Sequence, residues 1–299
     1  MPLWLMMLVA LCVARSQVQA ETAVERGQYL VEVLAACGNC HTPVGPQGPI
    51  RERHLAGGQH IREDAFGLAI SSNITPDPET GIGAWTDADI IRAIRDGKGK
   101  DGRTLGPPMP VGMYRNMSDT DVRAIVAYLR TVPPVHNAVP PGQYTIMLPE
   151  SYGPPVTSVP EPPREDPIKY GEYLAGPIAH CLSCHTPLGA DGRRDMTRLF
   201  AGGRLLPRVG GRLVPGVQDT IYSANLTPDK ETSLGTWSDA QIIQAIYGVR
   251  PDGRVLLPPM PWPYFAGKIA AEDLQALLAY LRSLQPITNK VPPPAAPKP

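Results

Sequence analysis

The sequence predicts an all-α chain built from two tandem, homologous modules joined by a proline-rich linker. Three observations predict it. An ordered set of short motifs occurs twice, the regular apolar spacing is helical wherever it occurs, and proline makes up 36 of 299 residues. That is more than twice the usual ~5%. Proline breaks regular elements from within, so loops, a linker and a tail must hold much of it. The length suits two domains of ~150 residues each.

Taken in order, the chain opens with an apolar run, Trp4 to Val13, followed by polar residues ending in Val18-Gln19-Ala20. Such a run is too short to span a bilayer but has the length of a signal-peptide core, and the small-residue ending fits a cleavage site. The bland alternative is a buried N-terminal helix. Residues 1–20 are read as a signal peptide that takes Cys12 with it, since Leu11 is too large for a lipoprotein signal. No later stretch approaches the ~20 apolar residues of a membrane helix. The mature chain is therefore expected in the periplasm, without a transmembrane helix, or held at a membrane through a partner.

The first module, 21–132, is repeated by the second, 167–285. Ala36-Cys-Gly-Asn-Cys-His-Thr-Pro43 returns as His180-Cys-Leu-Ser-Cys-His-Thr-Pro187, and Ala56-Gly-Gly58 as Ala201-Gly-Gly203. Asn73-Ile-Thr-Pro-Asp77 returns as Asn225-Leu-Thr-Pro-Asp229, Trp85 as Trp237, and Pro107-Pro-Met-Pro110 as Pro258-Pro-Met-Pro261. Ala127-Tyr-Leu-Arg130 returns as Ala279-Tyr-Leu-Arg282, and the second copy carries an insertion around Arg204 to Gly216. The Gly-Gly pairs call for a positive-φ turn or a close backbone approach. Between the modules, residues 133–166 carry ten prolines. Fully extended at ~3.1 Å per residue this segment would span about 100 Å, so it is expected to drape over a surface. The tail, 286–299, is expected to be disordered.

Helices are read from spacing and caps. Ser118 opens a run with Val122, Ile125, Val126 and Leu129 on one face, and Leu274, Leu277, Leu278 and Leu281 repeat it. Thr86 and Ser238 read as helix starts, Ser238 with Gln241 as a capping box. Alternating strand patterns are scarce.

Cys-x-x-Cys-His is the attachment pattern of c-type haem. Cys37 and Cys40 at i, i+3 with His41 at i+4 share one face of a helical turn, as do Cys181, Cys184 and His185. The thiols can then form thioethers to the haem vinyl groups while the imidazole reaches iron. A zinc site would need both modules to share one metal, and a redox dithiol does not call for the following His twice. Two covalently bound haem c groups are therefore expected, with His41 and His185 as iron ligands. Cytochromes c commonly add a Met opposite His. Of Met109, Met113, Met117, Met147, Met196 and Met260, only Met109 and Met260 match between copies, each in Pro-Pro-Met-Pro. Flanking prolines restrict the loop and help hold a weak thioether ligand. His54, His60, His136 and His180 have no counterpart histidine and read as surface or supporting residues. Asn73, Asn225, Trp85 and Trp237 either contact haem or stabilise turns and core.

These motifs, with Arg26-Gly-Gln-Tyr-Leu30, give the chain a resemblance to a doubled class I cytochrome c domain. More narrowly it is similar to the cytochrome c subunits of bacterial membrane-bound alcohol, aldehyde and gluconate dehydrogenases. The likeness covers both modules but not the linker or tail. Those subunits typically carry three haems and a membrane-binding C-terminal region, whereas this chain has two motifs and a proline-rich end. The resemblance implies an electron carrier, not an enzyme, working between a dehydrogenase and a cytochrome, quinone or oxidase acceptor of a respiratory chain.

Six-coordinate His/Met iron leaves no open position for substrate. The alternative is a dihaem enzyme of the peroxidase or thiosulfate-oxidising type, which needs an opening iron or an additional Cys. A haem-sensing module ranks third, because covalent attachment makes haem a fixed part. Lys+Arg and Asp+Glu both total 28, which gives no cause to expect a nucleic-acid partner. Charge is uneven, however: −2 over 21–130, −3 over 131–166 and +4 over 167–299. Arg204, Arg208 and Arg212, at or in the insertion, are expected either to form a docking face for an acidic partner or to be a solvated loop.

Overall fold

In the computed structural model of the chain, residues 21–292 are described apart from 64, 207 and 210–220. The expected signal peptide with Cys12, the middle of the insertion with Arg212, and tail residues 293–299 lie outside the described residues.

The first half holds α1 (Ala23–Tyr29), α2 (Gly38–His41), α3 (Asp87–Asp96), α4 (Val111–Tyr114) and α5 (Asp119–Leu129). The second holds α6 (Pro167–Tyr173), α7 (Cys181–His185), α8 (Asp239–Ile246), α9 (Trp262–Phe265) and α10 (Ala271–Ser283) in the same order. Caps start them. Thr22 accepts from the Glu25 N–H at 3.2 Å and its own N–H donates to the Glu25 carboxylate at 2.8 Å. Asp166 accepts from the N–H groups of Ile168 and Lys169, with Pro167 at the first position, where a missing donor costs nothing. Thr86–Asp89 forms a full capping box just as Ser238–Gln241 does, because the Asp89 carboxylate also reaches back to the cap N–H.

Both α1 and α6 run into one π-type turn, Leu30–Leu34 and Leu174–Ile178, closed by Ala35 N–H to Leu30 O and Ala179 N–H to Leu174 O, each at 2.8 Å. Ala36 and His180 then take left-handed φ of 46° and 42°. This turn aims the short helices α2 and α7, which carry the cysteines. Gly27 in α1 and Gly171 in α6 allow the tight crossing of α5 and α10. A Cβ at Gly27 would lie 1.9 Å from Ala124 O, and one at Gly171 2.0 Å from Ala276 O. At the far end of α5, Arg130 donates to Ile82 O, Trp85 O and Asp87; Arg282 does the same to Leu234 O, Trp237 O and Asp239.

The fold is mostly helical with two small sheets, which the all-α reading did not anticipate. β1 (Val44–Gly45) pairs with β2 (Gly48–Pro49), and the second sheet has the antiparallel order β5-β4-β3-β6. Here β3 (His60–Glu63) and β4 (Gly67–Ile70) form a hairpin, β5 (Gln143–Tyr144) comes from the linker and β6 (Arg208–Val209) from the insertion. Ile61 faces Ala69 on one side and Val209 on the other, and Gly67 faces Tyr144. Strands of two to four residues are too short to display alternation, and the edge strands are distant in sequence.

Residues 133–166 lie along the first half. Asn137 donates to Ala56 O at 2.8 Å, Asp119 N–H to Val159 O at 2.9 Å, and the Tyr152 hydroxyl to Leu105 O at 2.7 Å. Tyr152 packs on Gly97 much as Trp262 packs on Gly248, and Trp262 Nε1 donates to the matching carbonyl, Leu256 O. A linker side chain thus does for the first half what a loop side chain does for the second. The start of the tail is ordered against expectation. Ile287 O accepts from Asn225 at 2.8 Å and Asn289 donates to Ala201 O at 2.7 Å, because these residues repeat Val135 and Asn137 and satisfy the same buried polar groups.

The halves meet through swapped side chains. The Tyr29 hydroxyl donates to Asp273, and that of Tyr173 to Asp121, both at 2.7 Å. Arg26 pairs with Asp121 at 2.8 Å, both buried. One apolar core runs through both halves, from Leu30, Leu34 and Ile125 to Leu174, Phe200 and Leu277.

Candidate haem sites

Cys37 O accepts from the N–H groups of Cys40 and His41 at 3.2 and 2.9 Å, so all three side chains share one turn. Cys181, Cys184 and His185 do the same within α7. The four thiols are unpaired. Burial pushes Cys37 and Cys181 up to about 12 and Cys40 up to about 11. That is opposite to the lowered thiol pKa on which redox dithiols depend. Among the described residues no three His, Cys, Asp or Glu gather as a zinc site would require.

Each motif histidine is oriented by a backbone carbonyl. His41 Nδ1 lies 2.8 Å from Ser72 O, and His185 Nδ1 lies 2.8 Å from Ala224 O. A carbonyl only accepts, so Nδ1 carries the proton and Nε2 is left as the ligating atom. Burial lowers both imidazole pKa values, which keeps the rings neutral. Sequence reasoning missed Ser72 and Ala224. They directly precede the matched Asn73 and Asn225, but a contact made by backbone leaves no side-chain signature.

Met109 and Met260 are half-buried against the core, immediately before α4 and α9. Of the remaining methionines, Met117 is fully buried core, and Met147 and Met196 are exposed. Met113 is half-buried on the same cavity as Met109, from which it differs in matching Tyr264, and not a methionine, in the repeat. His54 bonds Glu32 through Nε2 and Thr42 through Nδ1, and His136 sits 3.6 Å from Asp77. His180 meets the Tyr114 ring edge-on, and burial pushes its pKa down to about 4. Asn73 accepts from Thr75 and donates to Thr80 and Val135 O, and Asn225 repeats this with Thr227, Thr232 and Ile287 O. Both asparagines are therefore turn anchors. Gly57 and Gly202 are needed for a close approach as well as a positive φ, since a Cβ on either would lie 2.4 Å from backbone.

A cavity of about 1860 Å³ is lined by Cys181, Cys184, His185, Met260 and Trp237, with Cys40 and Met109 toward the first half. At the second site, thiols paired on one turn, an imidazole with Nε2 spare, a thioether on the same cavity and walls such as Leu277 and Ile242 form a donor set that fits covalent haem. Of the first set, Cys40 and Met109 line this cavity and Cys37 and His41 do not. Arg204 does not fit the docking expectation. Its side chain is 15% exposed and pairs with Glu63 at 3.1 Å, because β3 and the insertion lie side by side.

The cytochrome c family model matches residues 24–133. Over 225 residues the chain is 30% identical to the diheme cytochrome c-type protein of Cereibacter sphaeroides, covering 68% of this chain and 74% of that one. The chain belongs to the cytochrome c family. Membership implies covalently attached haem c. This cytochrome is also 32% identical over 292 residues to the cytochrome c subunit of the quinone alcohol dehydrogenase of Gluconobacter oxydans, which covers 93% of the chain and 58% of that relative. It is 30% identical over 286 residues to the gluconate 2-dehydrogenase cytochrome c subunit of Pantoea cypripedii, covering 88% and 60%. It thus spans about 58% to 60% of those subunits. Among its described residues no helix is long and apolar enough to cross a membrane.

Proposed function

We propose that the chain is a dihaem electron-transfer protein of the periplasm, and not itself an enzyme, that takes electrons from a dehydrogenase and passes them to a cytochrome, quinone or oxidase acceptor. Its parts are a signal peptide (1–20), cytochrome c domains at 21–132 and 167–285, the proline-rich linker between them and a short tail. The observation that carries this is the repetition of one donor set, down to a 2.8 Å carbonyl contact on each Nδ1. Cys37, Cys40, Cys181 and Cys184 hold the two groups covalently. His41 with Met109, and His185 with Met260, hold the irons.

When bound, haem supplies a one-electron couple. The protein's own work is positional. The carbonyls of Ser72 and Ala224 fix which imidazole nitrogen is free. Prolines on both sides of Met109 and Met260 would hold each thioether near its site, and a methionine bound to the iron would keep substrate from it, which suits outer-sphere transfer over bond-making chemistry. Relatives that are subunits of quinone alcohol, gluconate and fructose dehydrogenases support a dehydrogenase as donor. The test is haem-stained denaturing electrophoresis with intact mass. Two haem additions are expected on a chain lacking residues 1–20, and Cys37→Ser or Cys181→Ser should remove one. A single haem, or haem that extracts into acid solvent, would refute the proposal. Rapid carbon monoxide binding by the unmodified chain would instead favour a dihaem enzyme.

A further inference from the structure

The two sites share a donor set but not an electrostatic environment. Five arginines line the cavity on the side of the second site. Arg193 is exposed to solvent and Arg254 corresponds to Arg103, so Arg194, Arg204 and Arg250 are the three that distinguish the halves. Backbone pairing identifies their counterparts in the first half. The bridge between Leu188 and Arg194 matches that between Val44 and Pro49. The bond from Ser223 N–H to Arg204 O matches that from Ser71 N–H to Gln59 O, and Arg250 N–H to Arg254 O matches Gly99 N–H to Arg103 O. Pro49, Gln59 and Gly99 are all neutral.

Not all three charges remain uncompensated. Glu63 neutralises Arg204 across the two halves. Arg194 has no carboxylate within ion-pair reach among the described residues; its Nε lies 3.4 Å from Ser183 O. Burial and then neighbouring Arg204 lower its pKa, and Glu63 opposes them. Arg250 lies over the Trp237 ring at 5.0 Å with its Nε buried and without a hydrogen bond, and it shares Asp252 with Arg254, at 3.7 and 3.3 Å, so one carboxylate serves two guanidiniums. Arginine stays charged in proteins. In the first half, Lys98 and Lys100 stand where Val249 and Pro251 stand in the second. The Lys98 Nζ is turned to Thr104 and to Glu150 O of the linker, and the Lys100 Nζ, on the exposed side, to Ala84 O. Arg103 and Arg254 correspond, each beside an aspartate, so they cancel in the comparison.

Ferric iron carries one more positive charge than ferrous iron, so a nearby half-buried cation favours the reduced form. The sign is the same whether a guanidinium acts on the iron or offsets the carboxylates of the haem. From Arg194 and Arg250 we infer that the second site is the higher-potential site of the two, so that an electron on the chain rests there and leaves from there. This rests on the dihaem function proposed above. The internal step is balanced: the iron of the first site gives up one electron, that of the second accepts it, and no bond is made or broken. The donor dehydrogenase supplies the electron and a one-electron acceptor removes it.

The test is an optical redox titration of the full-length holoprotein after its haem content has been measured. Two waves are expected, with Met260→His lowering the upper one and Met109→His the lower. Arg194→Gln and Arg250→Gln should each shift the partition between the sites by about tenfold, or about 59 mV for a one-electron couple, by lowering the upper wave alone. Arg250→Lys should restore most of that shift. The inference is overturned if Met109→His moves the upper wave, or if both Gln variants leave that wave in place. The two methionine variants test the order of the sites even if an arginine variant fails to fold. A haem content of one per chain would overturn the dihaem function itself, and it is read before any potential.

Discussion

A neutral imidazole whose Nδ1 already donates to a carbonyl can offer only Nε2, and both candidate histidines are in that state. The methionine that would hold each iron with them is then the residue on which reactivity turns. Met109→Ala or Met260→Ala should open one sixth position. The Met-to-ferric-iron absorption band should halve in each variant and vanish in the pair, and each single variant should bind carbon monoxide at half the haem. A full-strength band in Met109→Ala would remove Met109 as a ligand. At this scale the sequence was informative where side chains do the work. Cys37, Cys40, His41 and Met109 stand in motifs that repeat, and repetition separated Met109 from core filler such as Met117. It was silent where backbone does the work, as at Ser72 and Ala224. It misassigned Arg204, because a cation bound to Glu63, 141 positions away, reads locally as a free surface charge.

Helices were legible from caps and spacing because an element of ten or so residues contains its own pattern. The four-stranded sheet was not, since its hairpin, linker and insertion strands come together only in the folded chain. The crossing of α1 with α5 lies between these cases. Gly27 stood in the Arg26-Gly-Gln-Tyr-Leu30 motif without an assigned role, and only the structure shows the Ala124 carbonyl against it. Gly27→Ala would force the helices apart, and overpacking of that kind costs about 1–3 kcal/mol. Gly171→Ala should cost a similar amount against Ala276. At about 2–4 °C per kcal/mol for a chain of this order of size, thermal unfolding of the holoprotein should shift down by several degrees in each variant. An unchanged midpoint in both would mean that α1 and α6 are not held as closely as these contacts require.

Across the whole molecule the halves exchange hydroxyls, yet the two exchanges are not equal. Asp121 receives Tyr173 and also the paired Arg26 guanidinium at 2.8 and 3.1 Å. The position matching Arg26 in the second half is Tyr170, so Asp273 has no arginine bonded to it. Its Oδ2 accepts from Tyr29 and its buried Oδ1 has no hydrogen-bond partner. Each tyrosine oxygen also accepts a backbone N–H at 3.0 Å, from Ala270 for Tyr29 and from Ser118 for Tyr173. Removing either hydroxyl therefore orphans one buried N–H, but only Tyr29→Phe also strips a carboxylate of its one bonded donor. An unsatisfied buried group costs about 1–3 kcal/mol, and more when it is charged. Tyr29→Phe should thus destabilise the holoprotein more than Tyr173→Phe, by about 1 kcal/mol or more at neutral pH. Denaturant unfolding of the two variants side by side measures the difference. Equal losses would show that Arg26 serves both aspartates alike and that the interface is electrostatically symmetric despite the Arg26-for-Tyr170 exchange.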